Sequence, residues 1–175
     1  MEVEYLPDSS IDASLDAELR ALLTTCFTKP QDVVFKDQRY FCEPYPHRWV
    51  IRDTNYSIIA HAGIHEKVVE ADGRRYRIGG LAEVCVHPDY RGQGFVKAMV
   101  ACIDDWLFAR GYDFAVLFGE SYIYQSSGYV EVSNLVYDEV TPSGEKYKAP
   151  EPAMVKPLAG IPWPAGEVYL PGPKF

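Results

Sequence analysis

The chain has 175 residues, 47% of them apolar and 24% charged, with a formal net charge of −8. That length supports one hydrophobic core, so a single domain over 1–175 is expected and two are not. The acidic surplus argues against nucleic acid as a partner, because phosphate neutralisation needs clustered Lys and Arg; a cationic acceptor suits it better.

In chain order, Met1 to Leu6 is a strand candidate. Behind an Asp12 or Ser cap, Leu15, Leu19, Leu22 and Leu23 then fall on one helical face. Pro30 to Pro46 is aromatic, charged and proline-bounded without a clean period, and reads as mainly irregular, a candidate wall for an acceptor site. Arg48 to Arg52 and Tyr56 to Val69 pattern as strands, with a turn near Asn55. Ala71-Asp72-Gly73 signals a hairpin, and Arg74 to Val86 returns as the next strand. Val96, Val100, Ile103 and Leu107 mark an amphipathic helix stopped by Gly111. Asp113 to Phe118 is a buried strand, Ser121 to Ser126 has room for one or two helical turns, and a strand begins near Tyr129. Thr141 to Pro152 reads as a solvated loop and Met154 to Leu158 as an edge strand. No internal repeat or low-complexity tract occurs.

Cys26, Cys42, Cys85 and Cys102 show no C-x-x-C spacing and read as reduced core residues. No apolar run reaches the length of a membrane span, and the acidic start Met1-Glu2-Val3-Glu4 lacks the basic and apolar regions of a signal peptide. A cytoplasmic protein with no membrane partner is the expectation. The sequence leaves the oligomeric state open, a homodimer included.

The most informative stretch is Val84-Cys85-Val86-His87-Pro88-Asp89-Tyr90-Arg91-Gly92-Gln93-Gly94-Phe95-Val96-Lys97. An apolar strand breaks at Pro88, enters a glycine turn and opens a helix, which presents unpaired N–H groups and the positive end of the helix dipole to an anion. The glycines fit neither the dinucleotide fingerprint nor a P-loop, so a different phosphate-bearing cofactor is indicated.

Val86-x-Pro88-x-Tyr90-Arg91-Gly92-x-Gly94, followed by the amphipathic helix and by Tyr124-x-x-x-Gly128-Tyr129, resembles the acyl-CoA-binding core of the GNAT N-acyltransferases. The resemblance covers roughly residues 50 to 135. It implies an α/β GNAT fold, a mixed, mostly antiparallel sheet flanked by helices. It also implies acetyl-CoA as co-substrate, with its pyrophosphate on Arg91, Gly92, Gln93, Gly94, Phe95, Val96 and Lys97. Val96 stands where the family usually has Gly or Ala. The pantetheine arm and the oxyanion donor are expected along Val84, Cys85 and Val86.

The reaction is then direct attack by an amine on a thioester through a tetrahedral intermediate, which calls for a proton acceptor, an oxyanion donor and a group at the departing sulfur. Tyr124 sits where the superfamily often has the tyrosine facing that sulfur and is the expected general acid; Tyr122 is its competitor. Glu83, on the strand before the loop, is the candidate base: among Leu81, Val84 and Cys85 it is either buried with a raised pKa or paired with an arginine. Glu120, after the end of the next strand, is also plausible as the base on position and is assigned to the acceptor. His61 and His65 share a strand face without a third ligand, and no metal is assigned.

The tail Pro162-Trp163-Pro164-Ala165-Gly166-Glu167-Val168-Tyr169, with Gly172-Pro173 after it, is similar to that of a branch containing aminoglycoside 2'-N-acetyltransferases and nodulation-factor N-acyltransferases. Both acylate an amine on a sugar. In that branch the C-terminus approaches the acceptor site, which implies a contact between Phe175, through its carboxylate, and the acceptor amine. A small-molecule amine is thus the expected partner, with protein-amine acetylation or a non-catalytic acyl-CoA sensor as the alternatives.

Overall fold

The computed structural model describes residues 2–175 as a mixed α/β protein. In order come β1 (Glu4–Pro7), α1 (Ala13–Cys26), β2 (His47–Arg52), β3 (Ile58–Ala71), β4 (Arg74–Val86), α2 (Phe95–Ala109), β5 (Phe114–Leu117) and the single-turn α3 (Ser121–Tyr124). Then follow β6 (Val130–Val132), β7 (Leu135–Val140), β8 (Lys146–Pro150), β9 (Ala153–Pro157) and β10 (Val168–Leu170). The residues divide into two compact units, 2–65 with Leu81–Ile103, and Glu66–Gly80 with Asp104–Phe175. The chain passes from one to the other within β3, β4 and α2.

In the first unit β1 pairs antiparallel with β2, β2 antiparallel with β3, and β3 neighbours β4. The Asp12 carboxylate caps α1 by accepting from the Leu15 N–H at 2.8 Å. The helix then buries Leu19, Leu22 and Leu23 against Phe35, Val50, Ile58 and Cys85. Emptying one such leucine to alanine costs on the order of 2 to 5 kcal/mol, which fixes α1 on this sheet.

In the second unit the strand order is β6-β9-β5-β4-β3-β10-β7-β8. Asp72 and Gly73, both left-handed with φ of 51° and 72°, make the β3–β4 connection the tight turn that matches strand twist. The core gathers Val69, Ile78, Phe114, Val116, Leu135, Val155, Val168 and Leu170, with Trp163 packed on it.

Four features depart from the sequence reading. The stretch assigned to a solvated loop, 141–152, holds β8, which pairs with β7 from Val136↔Pro150 to Val140↔Lys146. Only Ala149 of β8 is buried, so this strand carries almost no apolar pattern. β9 is no edge strand: it lies between β6 and β5. β10, three residues long and parallel to β7, lies between β7 and β3. Nor are the four cysteines all core residues. Cys85 is buried and Cys26 half-buried, while Cys42 and Cys102 are exposed.

Candidate active site

β4 ends at Val86 and the chain turns through a 3-10 segment, Pro88–Tyr90, before α2 begins at Phe95. Gly92 and Gly94 have φ of 77° and 80°, where a side chain would be strained, although a Cβ at either would meet nothing within 4 Å. The turn is therefore open and its backbone approachable. The Ala98 N–H donates to the Gly94 carbonyl at 3.0 Å, the first bond of the helical ladder. The Phe95, Val96 and Lys97 N–H groups precede it, at the positive end of a helix of 15 residues. Tyr90 ties the turn down, its hydroxyl donating to Asp53 Oδ2 at 3.0 Å. The Arg91 side chain folds back, with Nε donating to the Val86 carbonyl at 3.2 Å and its charge felt by Cys26 and Cys85. Arg91 thus contributes to the turn through its backbone, with its guanidinium turned toward the strand.

Glu83, in the same unit and on the same strand, has φ of +44°. That conformation costs a non-glycine residue roughly 1 to 2 kcal/mol and redirects its side chain. Oε1 accepts from the Phe41 N–H at 3.1 Å, and Oε2 is buried without a hydrogen-bond partner. Burial pushes the carboxyl above its ordinary range, against the pull of the Tyr45 hydroxyl, the Phe41 N–H and the Arg48 guanidinium. The irregular segment expected to wall an acceptor site is thus bonded to Glu83. Its Tyr45 ring is buried flat on Gly63 of β3, where a Cβ would overlap it. The ring also meets the His65 ring edge-on at 5.0 Å and carries Arg48 Cζ 4.1 Å from its centroid. Tyr45, Arg48 and the Phe41 N–H escaped sequence reasoning, since nothing in their spacing points to Glu83.

In the second unit, α3 carries Tyr124 and follows Glu120, which is exposed and makes no capping hydrogen bond through its side chain. The Tyr124 ring is buried against Gly119, where a Cβ would come within 2.9 Å of Cε2, and lies 6.0 Å from the Tyr129 ring. Tyr122 is 77% exposed. The two tyrosines face different surroundings, as positions two apart on a helix require. The Phe175 ring covers Gly80 and lies 5.1 Å from the Phe118 ring. Trp163 donates its indole N–H to Asn134 Oδ1 at 2.9 Å and meets Phe114 edge-on at 5.0 Å. The Asn134 amide donates in turn to the Pro164 carbonyl at 2.9 Å. The tail motif is thereby committed to packing.

A strand, an open glycine turn and a helix N-terminus, with a buried strand carboxylate in the same unit, form an arrangement suited to an anionic ligand. The family model described as an acetyltransferase (GNAT) domain matches residues 11–132, and the chain belongs to that family. Among solved structures it is similar to the GNAT family N-acetyltransferase YhbS from Escherichia coli, in complex with CoA, at 21% identity and TM-score 0.65, over 97% of this chain and 90% of that one. A GNAT family acetyltransferase from Brucella melitensis in complex with acetyl-CoA follows at 15% identity and TM-score 0.61, over 95% and 94%. The ribosomal-protein-S18-alanine N-acetyltransferase from Escherichia coli gives 17% identity and TM-score 0.57, over 92% and 97%. At these identities the likeness is one of fold. No curated protein matches the chain in sequence. No helix among the described residues is long and apolar enough to cross a membrane.

Proposed function

We propose that the protein transfers the acetyl group of acetyl-CoA to a primary amine of a small molecule, with Glu83 as the general base. The observation that carries this reading is Glu83 Oε2, a buried carboxylate oxygen without a partner, on a strand that runs into an anion-binding turn. Acetyl-CoA, when bound, supplies the acetyl group as a thioester. The open turn from Arg91 to Lys97 fits its pyrophosphate, with the Phe95, Val96 and Lys97 N–H groups as donors. The β4 backbone at Val84, Cys85 and Val86 is where the pantetheine arm and the oxyanion would find donors. Glu83, its carboxyl raised above the ordinary range by burial, accepts a proton from the attacking amine at Oε2. Tyr124, held by its packing on Gly119, is the residue of α3 suited to protonate the sulfur, and Glu120 and Phe175 are assigned to the acceptor.

The acidic net charge of −8 and the resemblance of the tail favour an aminosugar or aminoglycoside as acceptor. The test is thiol release from acetyl-CoA with glucosamine, kanamycin, spermidine and a peptide with an N-terminal alanine. Release with a sugar amine supports the reading, and release with the peptide alone moves it to protein acetylation. Calorimetric binding of acetyl-CoA with no release for any of the four would make the domain a sensor.

A further inference from the structure

The Glu83 backbone is held from behind by a buried chain of hydrogen bonds. His61, fully buried on β3, has Nδ1 2.9 Å from the Glu83 carbonyl oxygen. A carbonyl only accepts, so Nδ1 carries the proton. Nε2 lies 3.3 Å from Arg48 Nη1, and since a guanidinium only donates, Nε2 is the acceptor. A single neutral tautomer satisfies both contacts. Burial and the neighbouring Arg48 charge hold the His61 pKa down to about 3, so the ring remains neutral across the working range.

Arg48 is fully buried in its turn. Its Nη2 and Nε donate to Asp8 Oδ1 at 2.8 and 3.2 Å, and its Nη1 to the Arg39 carbonyl at 3.2 Å. Burial acts to raise the Asp8 carboxyl, but the hydrogen bonds and charges of Arg39 and Arg48 outweigh it and leave Asp8 below the ordinary range, an anchored anion. Arg39 ties Asp8 further to Asp16, at 2.9 and 2.8 Å. The chain ends on the carbonyl of the one residue in β4 whose φ is positive without being glycine.

We propose that His61 is a positioning residue for the base: its Nδ1–H, fixed by Arg48 and Asp8, holds the Glu83 peptide in the left-handed kink that keeps Oε2 unpartnered. Without that bond the strand relaxes toward extended geometry and the carboxylate swings to another face. The inference rests on the reading of Glu83 as base, and its primary readout does not depend on turnover. The titratable and charged groups facing Glu83 are Tyr45, Arg48 and Cys85. Burial raises Tyr45 well above its usual value, and the Cys26 hydrogen bond together with burial does the same for Cys85, so neither changes charge near neutrality.

The experiment is a carboxyl carbon NMR titration of protein labelled at glutamate, with the Glu83 resonance assigned by Glu83→Gln, in wild type, His61→Leu and His61→Asn. Asparagine keeps a donor near the Nδ1 position and leucine keeps none. In wild type Glu83 should titrate above the ordinary carboxylate range, in His61→Leu it should return to that range, and His61→Asn should restore it. With kanamycin and acetyl-CoA, kcat should fall 10- to 100-fold in His61→Leu at an unchanged KM for acetyl-CoA, and recover to within a few-fold in His61→Asn. If His61→Leu does not fold, His61→Gln, whose amide reaches only the Nε2 position, replaces it. An unmoved Glu83 titration in a folded leucine or glutamine variant overturns the inference. Full turnover in Glu83→Gln overturns the reading of the base instead.

Discussion

Each unit holds a buried carboxylate pushed above its ordinary range by burial, and the two are treated in opposite ways. Asp104, in the second unit, has both oxygens occupied: Oδ1 accepts from the Tyr129 hydroxyl and Oδ2 from Lys156 Nζ, each at 2.7 Å. Lys156 also donates to the Ser127 carbonyl at 2.9 Å. Glu83, in the first unit, has Oε1 on a backbone N–H, Oε2 without a hydrogen bond although the Tyr45 hydroxyl and the Arg48 charge act on the carboxyl, and a strained backbone beneath it. A carboxylate kept for structure is saturated; one left short of a hydrogen bond in a buried place is destabilised for a reason that lies outside folding. Glu83→Gln is the sharpest way to break the comparison. It should lower kcat for acetyl transfer by about 10²- to 10⁴-fold and remove the acidic limb of the kcat/KM profile. Thermal stability should hold or rise above the Glu83 pKa, because a raised carboxyl contributes stability at low pH that is lost as pH rises through its folded value. A glutamine variant that is both active and less stable would make Glu83 another Asp104.

The pH dependence of folding supplies the next largest effect. The His61 pKa falls from 6.5 in the unfolded chain to about 3 in the fold, so the unfolded state binds the proton first as the solution is acidified. The stability held above pH 6.5 is therefore lost going down toward 3, at about 1.4 kcal/mol per pH unit in the middle of that window. Glu83 and Asp104, both raised, change stability with the opposite sign, so wild type alone shows only a net slope. The difference between wild type and His61→Asn in urea melts from pH 6.5 to 4.5 isolates the histidine. A constant difference across that range would mean that His61 is protonated in the folded state.

The counterpart in the second unit is Asp104→Asn. It leaves Lys156, which is 30% exposed, without its partner and should cost about 2 kcal/mol of stability, seen in the urea midpoint. Its kcat/KM profile against pH should overlay that of wild type. A displaced acidic limb in this variant would transfer to Asp104 the role given to Glu83.

The parts legible in the sequence are those whose physics is local. The turn from Arg91 to Lys97 is contiguous, and its glycines announce φ values that only glycine takes freely. Asp12 caps the helix it directly precedes, and Asp72-Gly73 turns adjacent strands. What escaped was assembled at a distance. β10 has three residues, too few for a period, and takes its identity from β7 and β3. The tail signature at Trp163 points to a substrate class in the sequence, yet in the structure the indole is engaged by Asn134 and Phe114. Glu83 stood out as an acid in an apolar strand. Its surroundings did not, because Asp8, Arg48 and His61 lie far from it along the chain and only β1, β2 and β3, side by side, line them up.

A last pairing concerns two glycines, each roofed by an aromatic ring. On Gly63 of the first unit lies Tyr45, fully buried; on Gly80 of the second lies Phe175, half-buried beside Phe118. Removing a fully buried ring costs on the order of 3 to 5 kcal/mol, and the exposed half of Phe175 reduces that accordingly. Phe175→Ala should therefore cost about 1 to 2 kcal/mol, a fall of several degrees in Tm for a domain of this size. Because Phe175 is assigned to the acceptor, KM for the amine should also rise a few-fold while KM for acetyl-CoA stays put. A plug that only packs would show the first effect without the second, and a variant with lowered Tm and an unchanged acceptor KM would leave the Phe175 ring no part in binding the amine.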